Sequence, residues 1–376
     1  MEERITIHKE KTPIYDIVIK DQFTSLVDEM VSLGYRGRRI CIVTDSNAGL
    51  YYADEVVSLL RSIAEKVVVF TFPAGEENKN LDVVRQLYGF LIEHKFERRD
   101  VLVALGGGVV GDLTGFSAAT YLRGIDFVQL PTTLLSQADS SIGGKTGVDF
   151  DGYKNMVGAF CMPRLVYMNM HTLDTLDRRI YLSGMGEVIK HGLIGNHNFY
   201  EWLKANKDAI KDRHVDAMIR MAKENCQCKG RIVEEDPTEK GIRALLNLGH
   251  TLGHAIEKQV HFSMYHGECV SVGIVAAAYI SFKKGYLKRE ELEDIIQTLS
   301  IYELPIRVSG VDKRAVLEAT KSDKKMDGGK IRFILLSSIG EAFINTHKAI
   351  EVSDEDMLQG LEYVGCTDNK EKLGKT

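Results

Sequence analysis

Residues 101–116 read VLVALGGGVVGDLTGF. The opening five residues are apolar on both alternating faces, which suits a strand of a parallel sheet covered by helices on either side. The glycine run Gly106-Gly107-Gly108 then leads directly into residues of helical character. At such a strand-to-helix turn, backbone N–H groups can approach a phosphate, because no side chain intervenes and the first helical turn leaves its donors unpaired. The spacing of Gly106, Gly108 and Gly111 also matches G-x-G-x-x-G, a weak signal on its own, and a tight turn with no ligand is the plainer reading of the glycines.

Moving outward, the same kind of run recurs. IYDIVI at 14, RRICIVTD at 38, KVVVFTF at 66, FVQLPTT at 127 and RLVYMN at 164 are short, β-branched and largely apolar, and LDVVRQLYGFLIEHKF between them repeats its apolar residues at helical spacing. The first part is therefore an α/β domain with a mostly parallel, Rossmann-like sheet. In such sheets ligands sit beyond the carboxyl ends of the strands. VTD at 43, PAGEENK at 73, GGG at 106 and PTT at 131 all follow predicted strands, so four strand ends are candidates for one dinucleotide.

Beyond about residue 180 long helical patterns replace the strands: YLSGMGEVIKHGLI, AIKDRHVDAMIRMAKENCQCKGRIV, ALLNLGHTLGHAIEKQV, GECVSVGIVAAAYISFKKG and REELEDIIQTLS. KIRFILLSSIG and EAFINTH predict a small late β-hairpin through Ile339-Gly340. The expected division is an α/β domain over 1–179 and an all-helical domain over 180–376, and a length of 376 residues agrees with two domains.

Composition narrows the function classes. With 48 basic and 53 acidic residues the formal charge is -5, which offers no global field for nucleic acid or an anionic membrane, so an anionic substrate must be held by local Lys and Arg. The opening MEERITIHKEKTPIYDI lacks the apolar core of a signal peptide, and no stretch approaches the roughly 20 apolar residues of a membrane span. A cytoplasmic protein is expected, without nucleic-acid or membrane partners. The six cysteines are scattered, which argues against a disulfide framework, and the single pair Cys226 and Cys228 supplies only half a metal site and reads as plain helix residues.

Two further clusters carry chemistry. DSSIGGKTGVDFDGYKN, residues 139–155, reads as a long loop in which Lys145 and Lys154 stand among small residues that let a phosphate come close, although surface lysines are usually just solvated. In the helical part, His250 and His254 stand four apart in NLGHTLGHAIE and share a helix face. Spacing alone nominates that pair as metal ligands, with Glu187 of GMGEVIKHG or His266 of YHGE as the third, since catalytic zinc commonly takes three ligands from His and carboxylate. A lone histidine would more often be a buried structural residue; three within seventeen positions favour a metal.

Taken together, GGGVVGDLTGFSAATYLRGIDFVQLPTTLLSQADSSIGGKTGVD, GYKNMVGAF, GEVIKHGLI, RALLNLGHTLGHAIE and HGECVSVG resemble the sugar phosphate cyclases, and within them the dehydroquinate-forming members. The likeness runs from about residue 40 to 285 and more thinly to SDKK at 322. It implies that Glu187, His250 and His266 bind a divalent metal, zinc or cobalt, and that His254 contacts substrate, against the spacing argument. It places NAD against Asp45, Gly75, Glu76, Lys79, Gly107, Gly108, Val109, Val110, Gly111, Asp112, Thr132, Thr133, Lys145, Lys154 and Thr172. Substrate contacts follow from Asp139, Lys145, Asn155, Lys190, Lys229, Arg243, Asn247, His254 and one of Lys324 and Lys325, with Arg123 reaching across a homodimer. The implied reaction turns 3-deoxy-D-arabino-heptulosonate 7-phosphate, a small sugar acid phosphate, into 3-dehydroquinate plus phosphate in the shikimate pathway. Arg243, Asn247 and Lys229 suit a carboxylated substrate rather than the neutral sugars of related cyclases. A metal-dependent polyol or glycerol dehydrogenase is the alternative, but it leaves Lys145, Asn155, Lys190 and the SDKK lysines unexplained. Departures from the family pattern are Gly186 in place of Ala, His191 in place of Tyr and Asp149 in place of Asn.

Overall fold

The computed structural model describes residues 2–261, 263–326, 333–343 and 352–368, the side chains of 322–326 and 343 excepted. The chain divides into two compact units. Unit 1 comprises Met1–Leu176 and Arg213–Thr238; unit 2 comprises Asp177–Asp212 and Glu239–Thr376.

In chain order the strands of unit 1 are β1 (Glu3–Lys9), β2 (Thr12–Lys20), β3 (Arg39–Asp45), β4 (Lys66–Phe72), β5 (Val101–Gly106), β6 (Asp126–Pro131), β7 (Lys145–Phe150), β8 (Tyr153–Phe160) and β9 (Leu165–Asn169). Seven of them form one sheet in the order β1-β2-β9-β6-β5-β3-β4, parallel throughout except for the antiparallel edge pair β1/β2. Alternation along β3 explains the layering. Ile40 and Ile42 join a core with Leu26, Met30, Val56 and Leu60, whereas Cys41 and Val43 join a second core with Val84, Leu87, Leu91 and Leu113. Each face of the sheet is thus sealed by helices, as the continuous apolar runs require.

Two features depart from the sequence expectation. The stretch read as a long loop is a short π-turn, Ser136–Ser140, followed by the antiparallel hairpin β7/β8, which turns at Asp151-Gly152 with φ of 48° and 81°. Asp-Gly with two left-handed residues is the favoured turn for a two-residue hairpin. The second departure is in the division of the chain. Arg213–Thr238, expected in the helical domain, belongs to unit 1: its helix Val215–Glu235 lies on β1, where Glu234 accepts the His8 N–H at 2.7 Å, Lys223 pairs with Glu3 at 2.8 Å, and Gly230 leaves room for Ile7.

Unit 2 is mostly helical: Arg178–Gly195, His197–Ala205, Lys207–Lys211, His250–Gln259, His266–Lys283, Arg289–Ile301, Lys313–Met326 and Asp354–Tyr363, with the small hairpin β10 (Leu335–Ser338) and β11 (Glu341–Phe343). Residues 330–332 and 344–347 of the predicted hairpin lie outside the described residues. Two helical patterns are broken. One stops at Arg213, φ 57°, and the other changes from the 3-10 turn Ile242–Asn247 to the helix His250–Gln259 through Gly249, φ 78°. Among the described residues no helix is long and apolar enough to cross a membrane.

Candidate functional site

In unit 1 the four strands whose ends carry the motifs are neighbours, in the order β6-β5-β3-β4. The chain runs from β3 out to β4 and then returns to the other side of β3 as β5. That reversal is the kind of switch point where open α/β sheets bind ligands. At the end of β3, Asp45 Oδ1 accepts the N–H groups of Asn47 and Ala48, both at 2.8 Å, at the start of the helix Ala48–Arg61. After β4, Gly75 has φ 125°, and a Cβ there would lie 2.4 Å from the Glu77 carboxylate. After β5, the helix Gly108–Thr120 starts at once, with Gly107 as its N-cap and no side chain on its first-turn donors. The first backbone bond of that turn is Gly111 N–H to Gly107 at 3.1 Å. The N–H groups of Gly108, Val109 and Val110 are therefore first-turn donors, available to an anion. After β6, Thr132 N–H donates to the Gly106 carbonyl at 2.9 Å and Thr133 is held by the Ser136 hydroxyl, fixing this loop to the glycine run. Thr172 is buried, its hydroxyl donating to the Asn169 carbonyl at 2.7 Å and accepting from Gln137 at 3.2 Å.

Lys79 links these strand ends to the hairpin. Its buried ammonium meets Asp112 Oδ2 at 2.7 Å and Asn155 Oδ1 at 2.6 Å, with Glu76 at 3.9 Å. Burial presses its pKa down, but the carboxylates of Asp112 and Glu76 outweigh this and hold it above its ordinary value. Asn155 adopts φ 55° on β8 and its N–H donates to Asp149 at 2.8 Å, while Lys154 lies 3.8 Å from Glu76. Lys145 opens β7 with an exposed side chain. Asp139, in the π-turn, accepts from Lys229 Nζ at 2.7 Å. Arg123 is exposed in a strained turn, φ 68° after φ 51° at Leu122. Unit 1 thus gathers Glu76, Lys79, Asp112, Lys154 and Asn155 into one network, and Asp139 with Lys229 into another.

In unit 2 glycine-tight helix packing builds the histidine cluster. A Cβ on Gly186 would lie 2.5 Å from the Gly267 carbonyl, and one on Gly267 would lie 1.9 Å from the Ser183 carbonyl. The helices Arg178–Gly195 and His266–Lys283 therefore touch backbone to backbone, and Gly186, a departure from the family pattern, is part of that contact. It brings Glu187 beside His266. Gly249, Gly253 and Gly273 do the same for the helix His250–Gln259: a Cβ on Gly273 would lie 1.9 Å from the Gly249 carbonyl.

The outcome is one buried carboxylate oxygen faced by two imidazoles. Glu187 Oε1 lies 3.2 Å from His250 Nε2 and 3.2 Å from His266 Nε2, and its other oxygen is paired with Lys190. Burial pushes the pKa of Glu187 up, but the Lys190 ammonium and the imidazoles of His250 and His266 outweigh it and hold the carboxylate well below its usual range. Burial lowers the pKa of His250 and lowers that of His254 further; for His266 the carboxylates of Glu187 and Glu257 outweigh burial and raise it to about 9. One donor atom each from His250, His254 and His266 lies within 4.8 Å of the others. Two imidazole nitrogens and a carboxylate oxygen form the donor set of a catalytic divalent metal site. His254 shares the helix face of His250, as spacing predicts, and brings a ring nitrogen into the same cluster, while His250 and His266 are the two histidines that face Glu187.

Arg243 and Lys190 are buried, and Asn247 Nδ2 donates to Glu239 Oε1 at 3.4 Å, a carboxylate that the sequence reading passed over. Glu257 was passed over too. It is buried with Oε2 3.4 Å from His266 Nδ1, and its signal was present, since 250, 254 and 257 follow the i, i+4, i+7 period of one helical face. The side chains of Lys324 and Lys325 lie outside the described residues. His191, the second departure, is buried in the helix that carries Glu187, and Asp149, the third, accepts the Asn155 N–H.

The chain matches two family models, the 3-dehydroquinate synthase N-terminal domain over residues 69–183 and the C-terminal domain over 184–326. A 3-dehydroquinate synthase of Acetivibrio thermocellus is 43% identical over 92% of this chain and 94% of its own length. Among solved structures, a 2-deoxy-scyllo-inosose synthase complexed with carbaglucose-6-phosphate, NAD+ and Co2+ superposes with a TM-score of 0.85 at 22% identity, covering 96% of this chain and 100% of that one. A 2-epi-5-epi-valiolone synthase from Streptomyces hygroscopicus subsp. jinggangensis, with NAD+ and Zn2+ bound, gives 0.85 at 23% identity over 96% and 99%. The two solved structures share the fold; the family models and the close relative, over nearly the whole chain, make this protein a member of the 3-dehydroquinate synthase family.

Proposed function

We propose that this chain converts 3-deoxy-D-arabino-heptulosonate 7-phosphate to 3-dehydroquinate and phosphate, using NAD and a divalent metal, zinc or cobalt. The observation that carries the reading is the Glu187 oxygen shared at 3.2 Å by His250 and His266, in a chain of this family. Glu187, His250 and His266 would hold the metal, which supplies Lewis-acid polarisation of a coordinated hydroxyl. NAD, held by the strand-end residues Asp45, Gly75, Glu76, Lys79, Gly107 to Asp112, Thr132, Thr133, Lys145, Lys154 and Thr172, supplies a reversible hydride acceptor that makes the hydrogen beside the oxidised carbon acidic.

The chain's own residues bind and orient. The first-turn donors of the helix Gly108–Thr120 suit a pyrophosphate. Lys145, Asn155 and Arg123 would hold the sugar phosphate, whose own oxygen can take the proton that departs with it. Arg243, Asn247 and Lys229 would recognise the carboxylate, and Asp139, Lys190, His254 and one of Lys324 and Lys325 the hydroxyls. Restricting the reacting groups in this way is a large source of rate, since effective molarities of roughly 10⁵ to 10⁸ M are reached by tethered reactants. The reading carries a homodimer, with Arg123 serving the neighbouring subunit, and a cytoplasmic location.

Phosphate release tests it. With the heptulosonate phosphate, NAD and metal, inorganic phosphate should accumulate with no net rise in absorbance from NADH. Stoichiometric NADH would point to a dehydrogenase, and release only from a neutral sugar phosphate would point to another cyclase.

A further inference from the structure

Two histidines of the cluster are built alike. His250 turns Nδ1 to the Leu248 carbonyl at 3.1 Å and Nε2 to Glu187 at 3.2 Å; His266 turns Nδ1 to Glu257 Oε2 at 3.4 Å and Nε2 to the same Glu187 oxygen at 3.2 Å. An imidazole that binds a metal through Nε2 gives its lone pair there and keeps its one N–H at Nδ1, so an acceptor fixed at Nδ1 holds the ring in the form that the metal needs. For His250 the acceptor is main chain and comes with the Leu248-Gly249 bend. For His266 it is a side chain from a different helix, His250–Gln259, held buried within 3.4 Å. His254, which shares that helix, makes no hydrogen bond through its ring among the described residues.

We infer that Glu257 is a positioning residue: it holds His266 as the Nδ1–H tautomer with its ring fixed, so that Nε2 is presented to the metal. The inference rests on the metal reading proposed above and deepens it. Glu257 would not itself be a ligand. Carboxylates that orient a metal-binding histidine typically change metal affinity about 10- to 100-fold when removed, because the ring must otherwise be ordered at the moment of binding.

The test measures Zn2+ dissociation constants of the metal-stripped full chain by competition with a chromogenic chelator, for wild type, Glu257→Ala and Glu257→Gln. Thermal unfolding of the metal-free proteins is followed beside it, and the visible spectrum of the Co2+ form is recorded. Glu257→Ala should weaken Zn2+ about 10- to 100-fold. Glu257→Gln, whose amide oxygen can still accept from Nδ1, should recover part of the loss, and both Co2+ spectra should keep the pattern of an unchanged ligand set. A merely structural role would lower the unfolding temperature of the metal-free variants and leave the dissociation constant within twofold of wild type, and that result overturns the inference. Should Glu257→Ala not fold, Glu257→Leu, which also lacks an acceptor for Nδ1, takes its place, and a dissociation constant within twofold of wild type in that variant would overturn the inference equally. A wild-type chain that binds no Zn2+ would refute the metal reading and this inference with it, whereas wild-type binding with unaffected variants refutes this inference alone.

Discussion

Replacing Lys79 with methionine removes the cation on which Asp112 Oδ2, at 2.7 Å, and Asn155 Oδ1, at 2.6 Å, converge. Burial raises the pKa of Asp112, and the Lys79 ammonium is the main group that opposes it. Without it Asp112 has two outcomes. It can stay ionised without its partner, and breaking a buried pair in this way costs about 3–5 kcal/mol. It can instead take up a proton, which at pH 7 costs about 4 kcal/mol for a carboxyl whose ordinary pKa is near 3.8. Asp112 keeps some contact with solvent, so a loss of about 3 kcal/mol at pH 7 is expected. The sign of the pH dependence follows. In Lys79→Met the folded pKa of Asp112 is raised further above its unfolded value, so the native state binds the extra proton. The penalty is absent below about pH 4 and grows as pH rises towards the folded pKa.

The single tryptophan, Trp202, lies in unit 2, so its fluorescence does not report on unit 1. Hydrogen exchange of peptides covering residues 101–120 reads the local opening free energy of the strand and helix that carry Asp112. The double variant Lys79→Met/Asp112→Leu, which removes both charges, should regain most of the loss. A change below about 1 kcal/mol in Lys79→Met, or a flat response between pH 4 and 7, would refute the reasoning, because an exposed pair behaves in that way.

Glu187→Gln should keep the circular dichroism of the native fold yet lose metal affinity and turnover, as an amide gives up the charge that Lys190 and the two imidazoles face; full activity after chelation would contradict it. Lys145→Ala should lower both turnover and substrate affinity by about ten- to a hundred-fold while NAD binding, measured separately, bears out or denies its second assignment to the dinucleotide. Gly273→Ala, whose new methyl would sit 1.9 Å from the Gly249 carbonyl, should cost about 3 kcal/mol in Trp202-monitored unfolding, and Zn2+ affinity should fall with it because His250 is carried on the helix that must move.

Legibility in the sequence varied with the range of the forces involved. The inner strands β3, β5, β6 and β9 of the large sheet were readable because each is buried on both faces and so carries an unbroken apolar run, and the four ligand-bearing strand ends were readable from the motifs that follow them. The polar edge strand β1 was not, since ERITIHK has one buried residue in seven. The hairpin β7/β8 was hidden by its glycines. Gly147 and Gly158 face each other across the ladder, where a Cβ on Gly158 would lie 2.4 Å from the Thr146 carbonyl, and close packing of that kind leaves no apolar alternation to read. Asp151-Gly152 was the signal to use. Helical spacing correctly grouped His250 with His254, but which ring turns to Glu187 depends on contacts between helices distant in sequence. For the same reason Val215–Glu235 carries no mark of belonging to the sheet rather than to the helical unit.

That last helix has a consequence during synthesis. Unit 1 is interrupted: the chain leaves it at Leu176, builds part of unit 2, returns at Arg213 and departs again after Thr238. A ribosome adding about 5–20 residues per second therefore emits the whole parallel sheet several seconds before the helix that covers β1. Through that interval Ile7 and its neighbours have no cover, which is when an exposed edge strand is open to pairing with another nascent chain. A fragment ending at residue 179 would remain permanently in that condition, so the smallest sheet-bearing piece with a prospect of folding alone must either run through Thr238 or be an internal deletion that splices Arg213–Thr238 directly onto Leu176.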